Sequence, residues 1–173
     1  TMGTRIVVMK DGLIQQVDAP QKLYDYPANL FVAGFIGTPQ MNFFDAVLTG
    51  TPDNVYIEFE GNKIKVPNAK ASKIINIEEY LNTGRPVVFG VRPEDFHDEE
   101  SFKANSADTI IEVKVEVVEK LGAETLLYCE FAKEEEVLEE GQIKSLDDTG
   151  VSLIARVDSR TKTEVDQTIE LAV

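Results

Sequence analysis

His97 is the chain's one histidine, and it sits among acids in Asp95-Phe96-His97-Asp98-Glu99-Glu100. An imidazole flanked by carboxylates could hold a divalent cation, although the plainer reading of such a run is a solvated polar patch. Cys129, the one cysteine, adjoins Tyr128 in a strand-like pattern. With no second histidine to act as its base, the residue reads as a buried inert thiol rather than a nucleophile. Glu134, Glu135, Glu136, Glu139 and Glu140 form a second acidic run. Calcium chelation there would need an Asp/Asn-rich loop with a glycine, which is absent, so a solvated face is expected. Gly90-Val91-Arg92-Pro93-Glu94-Asp95 is more specific, because a strand ends at an arginine held extended by the following proline. Two carboxylates come next, so Arg92 could make a fixed Arg–carboxylate contact at an interface or pair locally. Spacing leaves both open. No GxxxxGK[ST], GxSxG, HExxH or CxxC occurs in the chain, so the common phosphate-cradle, hydrolase and zinc patterns are not available.

These residues hang on a chain of 173 residues with 31 acidic and 17 basic side chains, a formal charge of -14. That balance weighs against nucleic acid as a partner, because phosphate binding needs a basic face, and against adsorption to anionic lipid. The hydrophobic fraction is 43%, typical of a globular protein with one ordinary core or one domain plus part of another. No apolar run approaches the ~20 residues that span a bilayer. No secretory leader is expected, and a single cysteine fits a reducing compartment.

The elements that position the candidate residues are mostly strands. Arg5 to Val17 reads as a hairpin turning at Asp11-Gly12, a pair suited to φ > 0. Asp18 is expected to cap a short helix, with Gln21 as its capping-box partner and Pro20 in the first turn. A second helix is expected from Asn29, stopped by Gly37 and Pro39. Strands are expected over 42–48, 55–60, 63–66, 86–91, 109–120, 124–131, 152–157 and 164–172. Val113, Val115 and Val117 should share one face. Gly61-Asn62 should close a hairpin, and Leu121-Gly122-Ala123 should turn between two long strands. One helix is expected between them, capped by Asn76 and answered by Glu79, with Ile77, Tyr80 and Leu81 inward and Gly84 at its end. The whole predicts a mainly β, antiparallel barrel or sandwich with a few short helices.

The stretch from Phe31 to Phe44, FVAGFIGTPQMNFF, is a dense apolar run that breaks at Gly37-Thr38-Pro39 and restarts at once. Its helix is apolar on nearly every side, which predicts burial on all of them. The chain is therefore expected to divide here, with 1–39 belonging to one structural unit and 40–173 to another.

Three stretches carry a family resemblance: RIVVMKDGLIQQVDAPQKLYDYPANLFVAGFIGTPQMNF, then FGVRPEDF with VEVVEKLGAETLLY, then SLIARVDSRTK. Together they resemble the C-terminal part of the ATP-binding subunits of bacterial carbohydrate ABC importers, of the maltose and multiple-sugar type. The resemblance implies that 1–39 is the end of a nucleotide-binding domain. Residues 40–173 would then be an OB-like regulatory domain of the TOBE type, without its last strand and with Glu164–Ala172 exposing an edge. Phe31, Phe35, Ile36, Gly37 and Pro39 would form the domain junction, with Asn42 and Phe43 beginning the first barrel strand.

The same resemblance implies a regulatory and dimerising role. ATP and Mg would belong to the parent subunit, because no Walker A, signature, Walker B or switch histidine is present here to catalyse. Partners implied are a second copy, transmembrane permease subunits and a phosphotransferase-system regulator, at the cytoplasmic face of the membrane. Arg92, Pro93, Glu94, Leu121 and Gly122 are the candidate interface residues. The alternatives are a TOBE-type sensor of an oxyanion or sugar, an OB-type nucleic-acid binder and an independent enzyme. The first would need positive groups or a nest of N–H donors, and the second would need basic residues between aromatics where these strands carry Glu.

Overall fold

A computed structural model of the chain describes residues 3–131 and 151–173. It divides into two compact units, Thr1–Asn42 and Phe43–Val173. The second acidic run, Glu134 to Glu140, lies outside the described residues.

In the first unit, β1 (Ile6–Lys10) pairs antiparallel with β2 (Leu13–Asp18). The turn residues Asp11 and Gly12 take φ of 51° and 79°, the left-handed pair that a two-residue hairpin demands. Helices α1 (Pro20–Asp25) and α2 (Leu30–Phe35) follow. The capping box expected at Asp18 does not form. Ala19 occupies the N-cap, and Asp18 stays in β2 with its carboxylate 3.2 Å from Lys22 Nζ. Pro20 offers no N–H, and the ammonium one turn on is a stronger, charge-assisted partner. Gln21 turns instead to Asp25. Asn29 does cap α2, accepting from the Val32 N–H at 3.0 Å, and Gly37 just past its end has φ of 120°. Val8, Leu23 and Val32 form the buried centre of this unit. Only one side of α2 takes part. Leu30 is 55% exposed and Phe35 59%, so the helix expected to be buried all round is half covered among the described residues. Six residues pack against a small hairpin and α1, which can cover one flank.

Among its described residues the second unit holds two four-stranded sheets. One runs β5-β4-β3-β6, built from β3 (Asn42–Thr51), β4 (Asn54–Phe59), β5 (Asn62–Lys65) and β6 (Val87–Val91). The other runs β10-β7-β8-β9, built from β7 (Ile110–Lys120), β8 (Glu124–Phe131), β9 (Leu153–Asp158) and β10 (Thr168–Ala172). Short helices α3 (Asn68–Ala71) and α4 (Glu100–Asn105) lie in the connections. Buried residues from both sheets form one continuous hydrophobic core. Its centre is aromatic: Phe44 of β3 lies 5.1 Å from Phe59 of β4 and 5.5 Å from Phe131 of β8, which brings the two sheets together.

Three local expectations change. The β4–β5 hairpin turns at Glu60-Gly61, one residue earlier than expected, with φ of 45° and 74° and Phe59 opposite Asn62. Both central residues of such a turn need φ > 0, and Gly61 suits the second place. Val117 does not share the face of Val113 and Val115. A β-bulge between Val115 and Val117 shifts the alternation, leaving Val117 49% exposed while Val118 packs on the core. The helix expected after Asn76 is only a 3-10 turn, Ile77–Glu79. Asn76 is left-handed at φ 53°, not in the extended conformation of an N-cap, and makes no side-chain cap, while Glu79 pairs with Arg85 at 2.9 Å. Ile77, Tyr80 and Leu81 nevertheless pack inward.

Candidate functional site

The corner that ends β6 is assembled by burial. Arg92 is extended, as the residue before a proline must be, and Pro93–Asp95 forms a 3-10 turn closed by the Asp95 N–H on the Arg92 carbonyl at 3.0 Å. The turn rests on β9. Arg92 is 6% exposed, Pro93 is buried, and Phe96 is sunk into the core at 1%. Glu94 is half-buried and Asp95 exposed. The corner therefore turns acid toward solvent and keeps its guanidinium inside.

His97 and Asp98 continue from this corner. His97 donates its N–H to the Ala172 carbonyl at 3.0 Å and accepts from the Ala172 N–H at 2.9 Å. Its ring stacks on Phe102 with centroids 3.9 Å apart, and Nδ1 stands 3.7 Å from Glu99. The imidazole is thus engaged by a ring face and one carboxylate. Among the described residues no group of three His, Cys, Asp or Glu side chains is disposed to hold a metal. Asp98 Oδ2 accepts hydrogen bonds from two hydroxyls, Thr161 Oγ1 and Thr163 Oγ1, the latter at 3.2 Å. Thr161 Oγ1 also accepts from the Thr163 N–H. Sequence reading missed this cluster, since its members stand 63 and 65 residues apart and Asp98 lies in a run that reads as solvated.

The Leu121-Gly122 turn is a separate feature. It joins β7 to β8, with the Leu121 N–H on the Glu124 carbonyl at 2.9 Å and Gly122 at φ 91°. Leu121 is 50% exposed. Of the five candidate interface residues, Glu94, Leu121 and Gly122 offer surface, whereas Arg92 and Pro93 hold the corner from within. At the junction, Phe31 stacks on Phe35 at 5.6 Å and lies under Lys10 Nζ at 5.2 Å, while Ile36 packs on the unit's small core. Thr38-Pro39 is a cis peptide bond. In β3 the anchor is Phe44 at 6% exposure, not Phe43, which is 40% exposed.

Among the described residues, the shifted groups include no poised acid or base. Burial, with the Glu116 carboxylate second, pushes the Cys129 thiol up to about 12, so it stays protonated and inert. A hydrogen bond to Glu119 raises Tyr128, and the Lys63 ammonium holds Glu58 below the usual carboxylate range. The Tyr128–Glu119 pair lies at the surface, and Glu58 and Lys63 line an open groove of about 590 Å³.

Among the described residues, two antiparallel four-stranded sheets around one core define a mainly β, antiparallel domain. The family comparison agrees: residues 37–96 match the MalK OB fold domain. The chain is 45% identical over 134 residues to the oligosaccharides import ATP-binding protein MsmX of Bacillus subtilis, covering 75% of this chain and 34% of that protein. It is 40% identical over 129 residues to the trehalose/maltose import ATP-binding protein MalK of Thermococcus litoralis, covering 74% and 33%. Similarity to the osmoprotective compounds uptake ATP-binding protein GgtA of Synechocystis extends over the whole chain at 32% identity, and over 41% of that protein. The chain thus resembles the ATP-binding subunits of sugar ABC importers, and residues 37–96 resemble the MalK OB fold domain. It spans about a third of the length of the first curated relatives it matches.

Proposed function

We propose that this chain is the regulatory and dimerising part of the ATP-binding subunit of a carbohydrate ABC importer and performs no catalysis itself. The observation that carries the reading is the 45% identity to a subunit named for oligosaccharide import, joined to the MalK OB fold match. The parent subunit hydrolyses ATP with Mg and works at the cytoplasmic face of the membrane on transmembrane permease subunits. Exposed apolar side chains on the first unit support a covering module. Val7, Met9, Leu13, Ile14, Leu30 and Phe35 are each at least half exposed, apolar surface that a covering module would bury. An ATPase core is the cover proposed for them. The second unit would hold two subunits together through a self-complementary patch while the ATPase halves open and close, and would receive a phosphotransferase-type regulator.

Light scattering of the purified chain at micromolar concentration tests the dimer. A mass of two chains is expected, and a clean monomer would remove the dimerising role. Deleting the gene tests the transport assignment: growth on the sugar it imports should fail, and be restored only by a copy that includes this segment.

A further inference from the structure

We infer that His97 and Asp98 form a latched strap over the outer edge of β10, and that the Asp98–Thr161–Thr163 hydrogen bonds are the latch. Among the described residues β10 is an outer strand, paired on one side with β7. On its other side Ala172 exchanges both backbone hydrogen bonds with His97 in an isolated antiparallel bridge. Because Ala172 turns its N–H and carbonyl away from β7, alternation turns those of Glu170 and Thr168 the same way. An outward row of backbone groups of this kind is the feature by which sheets pair with foreign strands. The strap occupies its C-terminal end.

One bridge pair is weak by itself, since two backbone hydrogen bonds must hold a segment that has no strand neighbours of its own. Phe96 anchors one end of the strap in the core, and Asp98 holds the other. Asp98 receives two hydroxyl donors from the β9–β10 connection, and a charged acceptor roughly doubles the strength of such bonds. The Thr161 oxygen is pre-set by the Thr163 N–H, so the loop presents both hydroxyls together. Stacking of His97 on Phe102 ties the strap to α4 as well. Beside it runs an open groove of about 750 Å³, lined by Asp98, Thr161, Thr163, Gln167, Ile169 and Glu170 among others. Opening the strap would join that groove to the whole edge. The device therefore regulates access to β10: closed, it leaves two outward residues, Thr168 and Glu170; open, it adds Ala172.

Amide hydrogen exchange on the full chain, read residue by residue, tests the latch. In Asp98→Ala the His97 and Ala172 amides should exchange about tenfold faster, the scale of losing hydrogen bonds to a charged acceptor. Amides of Val113 and Leu127 in the shared core should not change. The double variant Thr161→Val with Thr163→Val keeps the shape of both side chains and should give the same local opening, which guards against a folding defect in the aspartate variant. Unchanged exchange at His97 and Ala172 in the threonine double variant would overturn the latch. Uniform acceleration through the core in both variants would also overturn it, because Asp98 would then serve the fold as a whole.

Discussion

Gly50 shows how much a single position can decide. It sits in β3 at φ +104°, and a Cβ built there would stand 2.1 Å from the Asn54 carbonyl oxygen. That oxygen belongs to backbone and cannot swing aside. Gly50→Ala is expected to lose about 3 kcal/mol of stability or more, measured by urea unfolding, since it adds a clash to a conformation L-residues avoid. Cys129 gives a second outcome at this scale. Its thiol keeps its proton up to about 12, against 9.0 for an unhindered one. The unfolded thiol ionises first, so the chain's stability should be whole below pH 9 and fall as pH rises from there toward 12. A thiol reagent at pH 8 should leave the folded chain unmodified and label it on unfolding. Labelling of the folded chain at the unfolded rate would contradict the burial.

Among the elements, the long connection between β5 and β6 depends on Asn82. Its side chain donates to the Gly50 carbonyl at 2.8 Å and accepts from the Gly50 N–H at 3.0 Å, while its own N–H reaches the Leu48 carbonyl. An asparagine thus imitates a strand partner for the end of β3. Asn82→Ala should lower the urea midpoint by the equivalent of about 1–2 kcal/mol, with the slope of the transition unchanged. Such clamps explain what the sequence concealed at this scale. Runs with period two marked nearly all the strands, and Asp11-Gly12 marked its turn, because these signals are local. Asp18 was misread because Lys22 and Pro20 together outweigh a cap pattern. Val117 was misread because a bulge leaves no trace in the alternation until Glu116 is seen to have no partner across from it. The Asp98 latch and the Asn82 clamp join residues that are far apart in sequence, and composition does not mark either partner.

The whole second unit rests on one core fed by both sheets. Phe131 of β8 lies 5.5 Å from Phe44 and 5.9 Å from Phe59 of the other sheet. Phe44→Ala should therefore cost about 3–5 kcal/mol and weaken both sheets in one cooperative transition, followed by circular dichroism. Two separated transitions would mean the sheets fold independently. At the proposed dimer contact, Leu121→Asp places a charge on a half-exposed apolar turn. Sedimentation equilibrium should show dissociation to monomer, and an unchanged dimer would take Leu121 out of the contact. The β class, most of the hairpins and the resemblance to sugar-importer subunits were legible in the sequence, because alternation, turn residues and short motifs are written locally. Tertiary structure alone decided that Arg92 lies inside, that Phe44 rather than Phe43 anchors the core, and that Asp98 latches the edge of β10. Burial and pairing between distant residues depend on where the chain returns, and that is a property of the folded molecule.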